Sequence, residues 1–88
     1  MAIRIHPALI RAARGLLNWS IVMLAEAAEL SVSTVKRMEM PHPQLVSFES
    51  YNKVRLAFEA AGVRFLDDNG QGIGLRFQPA EVLMRRHV

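Results

Sequence analysis

Cysteine is absent from the 88 residues, which excludes disulfide bonds and thiolate chemistry and by itself leaves the compartment open. Long apolar runs are absent as well: none approaches the roughly 18 residues that a membrane-spanning helix needs. The opening MAIRIHP has no apolar segment before Pro7, so no signal peptide is expected and a cytoplasmic location is the default. Acidic residues are the scarcer charge, 8 against 11 basic, leaving a net charge of +3. That balance favours a polyanionic partner without establishing one. Histidine is sparse, and His6, His42 and His87 lie far apart with no cysteine to join them, so no metal site and no cofactor are expected. No nucleophile stands in a recognisable catalytic motif, so an enzyme is not expected either.

What remains is 51% hydrophobic and 22% charged, the balance of a folded chain rather than a disordered one. A chain of this length is one domain, able to hold a small core unaided yet close enough to the limit for dimerisation to help. Its informative stretch runs from Trp19 to Glu39, WSIVMLAEAAELSVSTVKRME. Ser20 and Ser31 are good N-caps, because a serine hydroxyl accepts a hydrogen bond from an unpaired amide of the first helical turn. One helix therefore starts at Ile21 and a second at Val32. Leu24, Ala25 and Ala28 give the first a small-residue face suited to close packing. In the second, residues 32–39, Val35 and Met38 point inward, and Val32, Ser33, Lys36 and Arg37 face out. Helix, tight turn and short helix is the helix-turn-helix pattern, whose second helix commonly enters the DNA major groove.

On Arg14, Trp19-Ser20, Leu24-Ala25, Ala28, Ser31, Ser33-Thr34-Val35, Arg37 and Glu39, the stretch resembles the helix-turn-helix of the Cro/CI repressors, the XRE family. The resemblance covers roughly residues 9–63. It implies a mainly α fold: a four-helix lambda-repressor-like domain over residues 7–62, with its motif at 20–39. An arm (1–6) precedes it, and a β-hairpin (63–77) and a short tail (78–88) follow. It also implies an ion pair between Arg14 and Glu39. Arg14 shares a face with Ile10 and Leu17, and a charge turned toward a core needs a partner. Two features depart from the family. Ile21 and Val22 stand where it usually has a phosphate-binding Gln, and Glu29 stands where the turn usually has Gly, a costlier choice for a left-handed backbone.

Elsewhere, Ile3 and Ile5 alternate with Arg4 and His6, which suits either a short strand or a loosely docked arm. Pro7 suits the first position of a helix that ends near Leu17, with Asn18 as a left-handed terminator. Pro41 and Pro43 stiffen the loop after Glu39. Ser47 caps a helix over residues 48–61 whose inner face is Tyr51, Val54, Phe58 and Ala61, closed by Gly62. Leu56 lies about 140° round from Tyr51 and is expected to be exposed or part of an interface. Residues 63–77 alternate about the turn cluster NGQG and read as a hairpin. A lone hairpin is marginal in water, so this one should pack on the helices or pair with a second subunit. With Leu56, its residues Val63, Phe65, Leu75 and Phe77 are candidates for a homodimer interface. The tail is either a short amphipathic helix or a mobile basic segment.

The glycine-rich DDNGQGIG matches no chemistry well. A dinucleotide site needs a helix after the glycines, and a strand follows here. A calcium loop starting at Asp67 would need an acid where Gln78 stands.

Two functions from different classes remain. One is a dimeric, sequence-specific regulator binding double-stranded DNA through Ser20, Ser31, Val32, Ser33, Thr34, Lys36 and Arg37. Lys36 and Arg37 would donate to guanine or phosphate, and Val32 would pack on a thymine methyl. The other is a protein-interaction module, antiactivator or antitoxin-like, using the apolar residues Ile21, Val22, Met23, Val32 and Met40.

Overall fold

The first helix begins where its first amide has nothing to lose. Pro7 opens α1 (Pro7–Leu17), and His6 caps it by accepting a hydrogen bond from the Ala8 amide at Nδ1, 3.1 Å. The computed structural model describes residues 5–41 and 45–79. Its further elements are α2 (Ile21–Ala28), α3 (Val32–Met38), α4 (Phe48–Ala60), β1 (Val63–Leu66) and β2 (Gly74–Phe77). The described chain is thus mainly helical, with one two-stranded antiparallel sheet.

α1 and α2 end in the same way. At Asn18, with φ 56°, the chain turns left-handed; the Trp19 amide reaches back to the Arg14 carbonyl (2.9 Å) and the Asn18 amide to that of Gly15 (3.3 Å). At Glu29, φ 57°, Leu30 reaches Ala25 (2.9 Å) and Glu29 reaches Glu26 (3.2 Å). Both are Schellman closures, which satisfy carbonyls that the helix leaves open. Asparagine enters this region readily and glutamate does not, so Glu29 carries strain that Asn18 largely avoids.

The buried core is Ile5, Ile10, Ala13, Leu24, Ala25, Ala28, Val35, Met38, Tyr51, Val54, Phe58 and Val63. The inward faces read from helical spacing are in it except Leu17 and Ala61, both half-buried: Leu17 is the last residue of α1, and Ala61 is the C-cap of α4. Phe58 links the layers: Trp19 stacks on it (5.7 Å, 20°) and Phe65 meets it edge-on (5.7 Å, 72°). Such pairs add to what burial alone contributes.

In the hairpin, Val63 pairs with Phe77, Arg64 with Arg76, Phe65 with Leu75 and Leu66 with Gly74. Since side chains alternate along a strand, Val63, Phe65, Leu75 and Phe77 share one face, and that face packs on the helical core. Val63 is 1% exposed. As an interface residue it is therefore corrected: its side chain lies inside the domain. Phe65, Leu75 and Phe77 are half-buried against the same core. Gly62 makes the corner at φ +99°, and a Cβ there would lie 2.3 Å from the Gln78 carbonyl oxygen, so no other residue fits without moving backbone. The loop is organised by Asp68, whose Oδ1 accepts from the amides of Gly70 and Gly72, each at 2.9 Å. Those bonds hold its carboxyl below the usual aspartate range.

Residues 1–4, most of the expected arm, lie outside the described residues, as do 42–44 in the proline loop and 80–88 of the tail. Among the described residues no helix is long and apolar enough to cross a membrane.

Because Glu29 is left-handed and exposed, Glu29→Gly removes strain without opening a cavity. It should raise stability by about 1 kcal/mol, and so raise Tm by about 4–8 °C. Calorimetry checks this, and an unchanged or lower Tm contradicts the strain assigned to Glu29.

Candidate nucleic-acid interface

α3 has only seven residues, too few to stand alone in water, so its position depends on what holds its two ends. At the start, Ser31 Oγ accepts from the Thr34 amide at 3.1 Å, as Ser20 Oγ accepts from Met23 at the start of α2, 3.0 Å. In the middle, Val35 and Met38 are fully buried. Leu24, Ala25 and Ala28 of α2 lie in the same core, and α2 packs on both α3 and α4. Two alanines on that helix let its neighbours approach closely.

At the far end of α3 two arginines of α1 converge on Glu39. Arg14 makes a bidentate pair with its carboxylate, Nε to Oε2 at 2.6 Å and Nη2 to Oε1 at 2.8 Å. Arg14 Nη1 donates to the Trp19 carbonyl at 3.0 Å. Arg11 Nη1 donates to the Glu39 backbone carbonyl at 2.5 Å. Glu39 is 8% exposed, and the Arg14 side chain is 20% exposed. Hydrogen bonding to Glu39 holds the Arg14 guanidinium above its usual pKa, burial acting the other way. Arginine is charged throughout the working range in any case, so that shift brings no pH dependence. The ion pair expected from the family resemblance is thus present. The Arg11 contact was not expected; its signal in the sequence is the spacing of Arg11 and Arg14, three residues apart on one helix face.

Ser31, Ser33, Lys36 and Arg37 are exposed, and Thr34 is half-buried. Their hydroxyls form a chain: Ser31 Oγ lies 3.1 Å from Ser33 Oγ and 2.8 Å from Thr34 Oγ1, and Arg37 Nη2 donates to Thr34 Oγ1 at 3.2 Å. Lys36 has no partner among the described residues. Val32, expected to face out, is half-buried against the core, and so is Ile21. Both are corrected as members of an exposed apolar face: each stands at the first position of its helix, where the chain still runs along the core. The apolar residues left exposed around the motif are Val22 (51%), Met23 (47%) and Met40 (43%). Leu56, on α4, is half exposed, as its place on the helix implied.

Among the described residues no three His, Asp or Glu side chains gather to hold a metal ion. Compared with known protein families and with curated proteins, the chain matches none.

Removing the Glu39 carboxylate leaves Arg14 without its ionic acceptor, while Arg11 keeps the backbone carbonyl. Glu39→Ala should cost about 3 kcal/mol, the low end for breaking a buried pair, because water partly reaches Arg14. Glu39→Gln keeps the shape and one acceptor and should cost less. Denaturant unfolding of both variants tests this, and a midpoint for Glu39→Ala equal to that of the parent contradicts it.

Proposed function

We propose that the chain is a sequence-specific DNA-binding regulator with a lambda-repressor-like domain of the Cro/CI (XRE) type, working as a cytoplasmic homodimer without catalysis. The observation that carries this is α3. It is short, fixed at both ends, and turns outward Ser33, Lys36 and Arg37, none of which is needed to hold the core. Arg37 and Lys36 suit guanine O6/N7 or phosphate, and Ser33 suits either base type. The Ser20 and Ser31 hydroxyls accept from backbone amides, which leaves each hydroxyl proton to donate to a phosphate or to a neighbouring oxygen. Thr34 serves less as a contact than as a support, holding Arg37 along the helix surface.

Lys36→Ala with Arg37→Ala removes the two strongest donors of that face. Affinity for an operator, selected from genomic fragments, should fall by roughly 1–3 kcal/mol for each base-reading hydrogen-bond pair removed, with fold stability nearly unchanged. Full regulation by the double variant in cells would end the DNA-binding proposal.

Val22, Met23 and Met40 favour a second function, a protein-interaction module that keeps the fold without DNA. In that case Met40→Asp abolishes partner binding and the Lys36/Arg37 variant stays active. Binding would also respond little to salt, whereas phosphate contacts weaken steeply with ionic strength.

The dimer rests on the hairpin edges and Leu56. Among the described residues the two-stranded sheet has no further strand at either outer edge, and Leu56 adds apolar surface that the core does not use. Sedimentation at micromolar concentration should give about twice the 9.9 kDa chain mass. A constant monomer mass on dilution contradicts it.

A further inference from the structure

The outer face of the hairpin carries a feature that neither the core nor α3 uses. The strand register sets Arg64 directly opposite Arg76, and both side chains are exposed. Like charges facing each other across a sheet are destabilising. Neither arginine has an acidic partner among the described residues. Both line a cleft of about 170 Å³ with Gly62, Val63, Gln78 and Glu59. Among the described residues Glu59 is the one acid on its rim, and Arg55 holds that carboxylate through both oxygens at 3.0 Å. The corner of the cleft is backbone, fixed by the Gln78 amide donating to the Gly62 carbonyl at 2.8 Å, with no side chain at Gly62 to fill it.

We propose that this cleft is a phosphate-binding site, with Arg64 and Arg76 as paired donors and the Gln78 side-chain amide as a third. Two guanidinium groups offer parallel N–H forks that match the edges of one tetrahedral phosphate, and binding it turns their mutual repulsion into shared attraction. A carboxylate has two oxygens and one charge against the four oxygens and greater charge of phosphate, so it satisfies two forks less fully. The phosphate has two possible sources, the DNA backbone or a free phosphorylated molecule. The first deepens the proposed DNA function and rests on it, and the second does not.

The full chain is titrated with inorganic phosphate, and separately with acetate, against chloride at constant ionic strength, following backbone amide NMR signals. Saturable shifts at Gly62, Arg64, Arg76 and Gln78 are expected with phosphate, and their disappearance in Arg64→Gln/Arg76→Gln. That variant removes a repulsive pair and should melt no lower than the parent; Arg76→Gln alone serves as a second variant. Equal shifts with acetate, or none with phosphate, overturn the proposal. In a second arm, the salt dependence of binding to a random-sequence duplex is compared. If the phosphate is DNA's, the log–log slope should fall in magnitude by about 0.9 in the double variant, about a fivefold loss of affinity near 150 mM salt. Phosphate shifts with an unchanged slope, or with no duplex binding by the parent, assign the site to a free phosphorylated ligand. In the latter case the DNA function fails while the site stands.

Discussion

The Arg14 guanidinium is the one group on which the placement of α3 depends most. Its donors reach the Glu39 carboxylate twice and the Trp19 carbonyl once, so it ties α1 to the exit of α3 and to the entry of α2 at the same time. A lysine would supply the charge but not the planar fork, and would fix distance without fixing direction. Arg11 completes the hold by donating to the carbonyl that closes α3, where the helix leaves acceptors unpaired and its dipole favours a cation. A helix of two turns is thereby held rigidly from outside itself. Its outer face can be polar and its inner face small, because neither has to supply the whole of its stability.

The strained turn before α3 belongs to the same design. Glu29 takes a left-handed conformation that a glycine would adopt at no cost, and it is retained there by two backbone hydrogen bonds and by the burial of Ala28 beside it. A domain this small tolerates about 1 kcal/mol of local strain only if the neighbouring elements over-determine the turn. The Ser31 cap and the half-buried Leu30 and Val32 do so on the far side.

Much of this was legible from the chain. Ser20, Ser31 and Ser47 announce their helices because a hydroxyl directly before an apolar-periodic run has one good use. Leu24, Val35, Met38, Tyr51, Val54 and Phe58 follow from helical spacing alone. The Arg14–Glu39 pair was legible only through the family resemblance, since residues 25 apart in sequence carry no local signal of contact. Val32 and Ile21 were misplaced because the first residue of a short helix lies near the boundary of both faces, and a few degrees of tilt decide its burial. Val63 shows a different limit. Alternation says which hairpin residues share a face, but not whether that face meets its own helices or another chain, and here Val63 meets the core. The opposition of Arg64 and Arg76 needed the register, which the loop between the strands sets and the alternation does not.

The charges around the motif are unevenly distributed, and this bears on how a polyanion would approach. Lys36 and Arg37 lie in the last turn of α3, and Arg11 and Arg14 converge on the residue that ends it, so four cations gather there against the single carboxylate of Glu39. That carboxylate is spent on Arg14, so Arg11, Lys36 and Arg37 are left as the uncompensated charge at this end. The exposed acids of the motif, Glu26 and Glu29, belong instead to the end of α2 and the turn. On the proposed function, phosphates would therefore be drawn toward the C-terminal end of α3, and the serine-rich start of the helix would contribute hydroxyl contacts of shorter reach. The same asymmetry disfavours an acidic strand crossing the turn at Glu29. Approach is thus limited in direction before any base is read, as expected when steering comes from a few uncompensated charges rather than from net charge alone.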